Sequence, residues 1–150
     1  VYRITGSIDV SEELCQEAFI RYYENMHKVP DATQAKYWLI RVAKNLALNY
    51  EKRLGRERRA FERAYRQPGP KLLDGETSVM REESYHAVQA AIDRLPEKLR
   101  TVIVLKEYGN LSYNEIAKTL EITEANVKVR VYRARERLAR FLNEGDVYVP

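Results

Sequence analysis

Residues Ser112–Leu142, SYNEIAKTLEITEANVKVRVYRARERLARFL, decide the fold. Ser112 and Glu115 form an S-x-x-E capping box that satisfies orphan N–H groups at a helix start. Leu111 and Ile116 stand where a hydrophobic staple sets the entry angle of the chain. The device recurs one helix later, with Thr123 as N-cap and Ile122 and Val127 stapled around it. Two capped helices so close together predict a helix-turn-helix, whose second helix fits a DNA major groove. On that helix Val127, Val131, Ala134 and Leu138 repeat at helical spacing and form an inward stripe. Lys128, Tyr132 and Arg135 lie on a neighbouring face, beside Val129, Arg133 and Glu136. From Lys128 to Arg140 there are six basic residues against one acid. A solvated basic face is the plain alternative, but such clustering behind a capped turn favours nucleic acid.

Outward from this stretch the pattern stays helical. The four-residue recurrence of Leu14, Ala18, Tyr22 and Met26, widened by Cys15 and Phe19, predicts a helix over 9–26, with Ser11 near its cap. Pro30 in HKVPDAT blocks its continuation. Asp31 or Thr33 can cap a long helix reaching about Tyr65, with Leu39, Val42, Ala43, Leu46, Ala47 and Tyr50 as its apolar face. Trp38 at helical spacing reads as packing, with base stacking as the sharper alternative. From Arg41 to Arg66 there are nine bases and three acids, whereas the residues before Arg41 carry six acids and four bases. The charged end of this helix, 51–66, is read equally as a solvated face or as a DNA contact.

QPGPKLLDGETS then supplies two prolines, two glycines and an Asp-Gly turn signal, the composition of a linker. Beyond it Tyr85, Val88, Ile92 and Leu95 mark one helix. Pro96 suits the first turn of the next, 97–108, with Leu99, Val102, Ile103 and Leu105 inward and Gly109 as C-cap. The expected architecture is all-α: a first helical domain over 1–66, a flexible linker over 67–80, and a second helical domain over 81–146.

The chain has 150 residues, a formal charge of +4 and a sequence pI of about 9.1. No apolar run matches a membrane span or a signal peptide, so a soluble chain of the cytoplasm is expected. Cys15 has no disulfide partner, and His27 and His86 are far apart, so no metal site or cofactor is expected. No catalytic constellation is visible: there is no convergent carboxylate pair, Ser/His/Asp set or phosphate loop. An enzyme with a small-molecule substrate is not expected.

AIDRLPEKLRTVIVLKEYGNLSYNEIAKTLEITEANVKVRVYRARERL resembles region 4 of bacterial sigma factors of the extracytoplasmic-function type, a group within the sigma-70 family. The resemblance lies in L-P-x-x-x-R, L-S-Y-x-E-I-A and V-K-x-R-x-x-R-A-R. EELCQEAFIRYY is similar to region 2.2 of the family, and YWLIRVAKNLALNYEKR to region 2.4. Together they cover about Asp9 to Leu142. The resemblance implies a subunit that joins core RNA polymerase and directs it to promoters with a −35 and a −10 element.

Carried over by position, Thr123, Asn126, Lys128, Val129, Arg130, Tyr132 and Arg133 are implied to face the −35 duplex. Pro30, Asp31, Thr33, Lys36, Tyr37, Arg41, Lys44, Asn45 and Tyr50 are implied at the −10 element. Glu13, Gln16, Glu17 and Arg21 are implied to dock on polymerase. An anti-sigma factor is the further partner implied. Three departures stand out. The family usually has another helix of region 2 ahead of the first helix read here, which implies an N-terminally incomplete chain. The flipped-base loop, 29–35, lacks the aromatic-flanked glycine and is stiffened by Pro30. Val129 replaces a frequent Ser, and its apolar side chain suits a thymine methyl. Two alternatives remain open: a sigma mimic that sequesters an anti-sigma factor, and a helix-turn-helix regulator. The mimic has no need of the basic helix, and the regulator leaves EELCQEAF and WLIRVAKN unexplained.

Overall fold

The computed structural model describes residues 1–65 and 79–144. Seven α-helices run through them, with no strand among the described residues: α1 (Tyr2–Thr5), α2 (Ile8–Asn25), α3 (Ala32–Tyr65), α4 (Val79–Asp93), α5 (Glu97–Glu107), α6 (Tyr113–Leu120) and α7 (Glu124–Glu144). A 3-10 turn over Met26–Lys28 follows α2. The expected linker falls mostly outside the described residues, and α4 takes up its last two positions, Val79 and Met80.

Local capping explains most boundaries. Asp31 is the cap of α3: its carboxylate accepts the Gln34 N–H at 2.8 Å. The α2 cap is Ser7 rather than Ser11, because the Ser7 hydroxyl accepts from Val10 N–H and the helix starts at Ile8. Ser11 is instead buried within the helix, its hydroxyl 2.6 Å from the Ser7 carbonyl and 2.8 Å from the Thr5 hydroxyl. At the end of α5 the left-handed residue is Asn110 (φ 51°) rather than Gly109. Gly109 is required for space, since a Cβ there would stand 2.7 Å from the Leu105 carbonyl oxygen.

The helix-turn-helix forms as its caps dictate. Both arms of the Ser112–Glu115 box are closed, at 3.1 and 3.3 Å. Thr123 accepts the Asn126 N–H at 3.1 Å. The turn depends on Glu121 in the left-handed region (φ 57°). Leu111, Ile116 and Val127 are buried as stapled residues should be. Val127, Val131 and Ala134 seat α7 against α5 and α6, with Leu138 half-buried further along. Residues from all three helices share one cluster with Ile92, Leu95, Leu99, Val102 and Ile103.

The core does not stop at the second half of the chain. Ile4 of α1 and Ala47 and Leu48 of α3 belong to the same cluster. Sequence periodicity placed Ala47 inward correctly but missed Leu48 and Tyr37. Leu39, Val42, Ala43, Leu46 and Tyr50 are only half-buried, because α3 is covered by α2, α1 and α6 on different sides along its length. On α2 the buried face is Ser11, Ala18 and their half-buried neighbours Leu14, Cys15 and Tyr22. Phe19 and Met26, expected inward, are exposed. Trp38 is half-buried and packs at 5.9 Å, tilted, against Tyr22, the packing role expected of it.

Ile116 is fully buried at the centre of this packing. Ile116→Ala should therefore lower unfolding free energy by about 2–5 kcal/mol, whereas Ser112→Ala, which opens one cap, should cost about 1 kcal/mol. Urea denaturation followed by helical circular dichroism reads both.

Candidate nucleic-acid interface

The inward stripe of α7 leaves its opposite face to solvent. Val129 and Tyr132 are 46% and 64% exposed, and Lys128 and Arg133 are exposed beside them. An apolar Val and a Tyr this open have no packing role, and they are flanked by cations. Asn126 and Arg130 are preset against each other, with Arg130 Nε donating to Asn126 Oδ1 at 2.9 Å. Lys128 lies 3.6 Å from Glu124 and 5.8 Å from the Tyr113 ring centre, so its ammonium is held near the start of the helix. Arg133 is exposed and makes no side-chain hydrogen bond or ion pair among the described residues. Thr123 is committed to capping. Six of the seven residues expected at the −35 duplex thus lie along α7 with side chains available or loosely tethered, and Thr123 fixes their starting point. Arg135 is tied instead to Glu107 at 2.7 Å, and that hydrogen bond raises its pKa.

The residues expected at the −10 element fall into two groups. Pro30, Asp31 and Thr33 are exposed at the start of α3, with Asp31 engaged in its cap. Asn45 is exposed and Tyr50 half-buried, the Arg53 guanidinium 5.5 Å from the Tyr50 ring centre. Lys44 is half-buried, and desolvation lowers its pKa. The remaining three point at the helix-turn-helix. Lys36 Nζ is 2.7 Å from Glu115 Oε2. Tyr37 is buried, with Lys118 above its ring at 5.9 Å. Arg41 donates to the Thr119 carbonyl at 2.7 Å and the Lys118 carbonyl at 3.1 Å, and it pairs with Glu121 at 3.0 Å. These carbonyls are among the orphan acceptors at the end of α6, so Arg41 caps that helix from outside.

The residues expected to dock on polymerase lie on α2. Glu13 and Gln16 are exposed, while Glu17 and Arg21 form an i,i+4 pair at 2.7 Å. Beside them runs an apolar surface that the sequence reading missed: Phe19 (62% exposed), Ile20 (54%), Tyr23 (78%) and Met26 (49%). The signal was present, because α2 carries more large apolar residues than one buried stripe can use.

Two family models match this chain in the order of its halves: sigma-70 region 2 over residues 1–57 and sigma-70, region 4 over residues 85–138. The chain is 34% identical over 154 residues to the ECF RNA polymerase sigma factor SigW of Bacillus subtilis, covering 95% of this chain and 81% of the relative. It is 34% identical over 146 residues to the ECF RNA polymerase sigma-E factor of Escherichia coli K12, covering 92% and 76% respectively. A solved structure, the sigma factor RpoE in complex with the anti-sigma factor NepR from Bartonella quintana, shares the fold at a TM-score of 0.63. That match has 19% identity and covers 95% of this chain and 86% of the other. The chain therefore belongs to the ECF RNA polymerase sigma factors of the sigma-70 family. Sigma factors are transcription initiation factors, not enzymes. No helix among the described residues is long and apolar enough to cross a membrane.

The Lys36–Glu115 contact is open to a direct test. The Glu115 pKa is lowered first by its hydrogen bond to Lys36 and then by the Ser112 N–H. Its folded pKa lies below the unfolded one, so the stability it adds is present above the ordinary carboxylate range and fades as pH falls through the lowered midpoint. In Lys36→Ala the Glu115 midpoint should rise toward 4.5 and stay somewhat below it because the cap persists. Side-chain carboxyl NMR titration reads the shift.

Proposed function

We propose that this chain joins core RNA polymerase in the cytoplasm and directs it to promoters with two elements, reading the −35 duplex with α7 and opening the −10 element with α3. The observation that carries this reading is the exposed face of α7, where Val129, Tyr132 and Arg133 stand free behind a fully capped turn. Early residues of such a helix reach base edges, and later cations hold phosphates. Asn126, Lys128, Val129 and Arg130 form the base-proximal group, Tyr132 and Arg133 follow, and Thr123 anchors the helix start. Val129 suits a thymine methyl, and a bidentate Arg–guanine contact discriminates by about 1–3 kcal/mol.

In the same reading residues 1–66 form the region 2 domain and 81–146 the region 4 domain, joined through 67–80. Melting a −10 element needs a cationic track for the strand and surfaces that receive unstacked bases. Lys36, Arg41 and Lys44 supply charge, Tyr37, Asn45 and Tyr50 supply polar and stacking surfaces, and Pro30, Asp31 and Thr33 line the entry loop. Glu13, Gln16, Glu17 and Arg21 dock on polymerase together with Phe19, Ile20 and Tyr23. An apolar patch rimmed by charge is the usual anatomy of a protein interface. An anti-sigma factor is the regulatory partner, in keeping with the complex solved for the Bartonella relative.

Run-off transcription with core polymerase on a promoter library should give transcripts that share one −35 and −10 pair, and Arg133→Ala should reduce them by about tenfold or more. No specific transcripts, with tight binding to an anti-sigma protein instead, would support a sequestering mimic. Tight sequence-specific binding to duplex DNA without polymerase would support an ordinary regulator. In duplex binding, removing a later cation of α7 by Arg140→Ala should weaken all sequences alike and flatten the salt dependence by about one ion.

A further inference from the structure

The second half of α3 carries a row of cations that none of the assignments above uses. Lys52, Arg56 and Arg59 recur at spacings of four and three, so they share one helix face, while Glu51, Glu57 and Glu62 fall on others. That face forms one wall of a cleft of about 930 Å³. The other walls come from α1 with the turn after it, at Ile4 and Gly6, and from the junction of α4 and α5, at Asp93 and Arg100. Gly55 lies between the cations on the same wall, and a Cβ there would meet nothing within 4 Å, so the space beside the helix is open.

Charge is unevenly matched in this cleft. Its five cations are Lys52, Arg56, Arg58, Arg59 and Arg100, and it has three acids. Each acid is already engaged. Glu51 accepts from Arg100 Nη1 at 3.2 Å and pairs with Nη2 at 2.9 Å, Glu97 stands 3.1 Å from Lys52, and Asp93 accepts from Gln89 at 2.9 Å. Arg56, Arg58 and Arg59 are exposed and pair with no carboxylate among the described residues. The Glu51 contact occupies both Nη ends of Arg100 and leaves its Nε buried, with no acceptor among the described residues. Buried donors are normally satisfied, and the oxygen of an anion is the chemistry that would complete this one.

We propose that this cleft is a binding site for a small oligophosphate anion, free or carried by a nucleotide, held by Arg56, Arg58 and Arg59 with Arg100 Nε as a further donor. Guanidinium forks match phosphate oxygens two at a time. Arg56 and Arg59 stand about 4.5 Å apart along the helix axis, so each can take a different phosphate of one chain. A single carboxylate would occupy one fork and leave the others unmatched. The volume is that of a small-molecule pocket, commonly about 300–1,000 Å³. Ile4, Leu48 and Leu54 add apolar surface against which a base can lie. None of these arginines belongs to the sets assigned to promoter or polymerase, so the site stands apart from those assignments.

Isothermal titration calorimetry of the whole chain at about 0.15 M salt tests this, with tripolyphosphate, ATP and single-stranded oligothymidylate as titrants. Arg56→Gln with Arg59→Gln removes two cleft cations. Arg53→Gln with Arg63→Gln makes the same charge change on α3 at residues that do not line the cleft. Gly55→Leu fills the space with no change in charge. The proposal expects saturable binding of tripolyphosphate and ATP, weakened on the order of tenfold or more by the cleft pair and by Gly55→Leu and kept by the control pair. Equal affinities for the two titrants assign the site to the bare phosphate chain, and tighter ATP assigns it to a nucleotide; either result upholds it. An absence of saturable heat overturns the site. Equal losses in both arginine pairs, with Gly55→Leu unaffected, also overturn it and leave a general attraction of anions to a basic helix. Binding of the oligothymidylate alone, lost in the cleft pair, overturns it in favour of a strand contact by 51–66.

Discussion

The seating of Val127, Val131 and Ala134 against α5 and α6 is the constraint on which the rest depends. It commits one side of α7 to the core along its first three turns. The other side is exposed among the described residues, and there the chain places Val129, Tyr132 and Arg133 among further cations. The turn that makes this seating possible is itself overdetermined. A closed capping box, a second N-cap at Thr123 and a left-handed Glu121 all point the chain the same way. Agreement among local signals of this kind is what lets a short segment specify one geometry.

The same α6 that positions α7 also meets α3. Its C-terminal carbonyls, left unsatisfied by the helix itself, are completed by Arg41 from a segment nearly eighty residues earlier. One helix thus links the two surfaces assigned to DNA. Lys36 and Arg41, which meet α6, also belong to the set proposed for the −10 element. Surface ion pairs of this sort hold weakly and yield to salt or to a competing polyanion.

Much of this was legible in the sequence, and the pattern of what was not has a physical cause. Capping boxes, staples and the α7 stripe are written in residues three or four apart, and each was placed correctly from Ser112 onward. The span of α3 was read correctly, and the choice between Asp31 and Thr33 needed only a hydrogen bond to decide. The family was legible from the motifs in both halves. The errors come from tertiary contact. Tyr37 is implied at the −10 element, a surface role, yet α6 covers it. Phe19 and Met26 fit a helical stripe, yet α2 turns a different arc inward and leaves them in solvent. The hydrogen bonds between the two halves join residues 49 to 86 apart in the chain. Periodicity carries no signal at that range, so nothing local announces which cation meets which carboxylate.

The most direct test of the central claim is site-specific photocrosslinking from α7 in an initiation complex assembled with core polymerase. A photoreactive phenylalanine analogue replaces Tyr132, which is 64% exposed and makes no core contact. The account predicts crosslinks confined to a short duplex segment at the −35 element, in register with the start of transcription. Crosslinks scattered along the DNA, or found only on protein, would contradict the assignment of α7 as the reading helix.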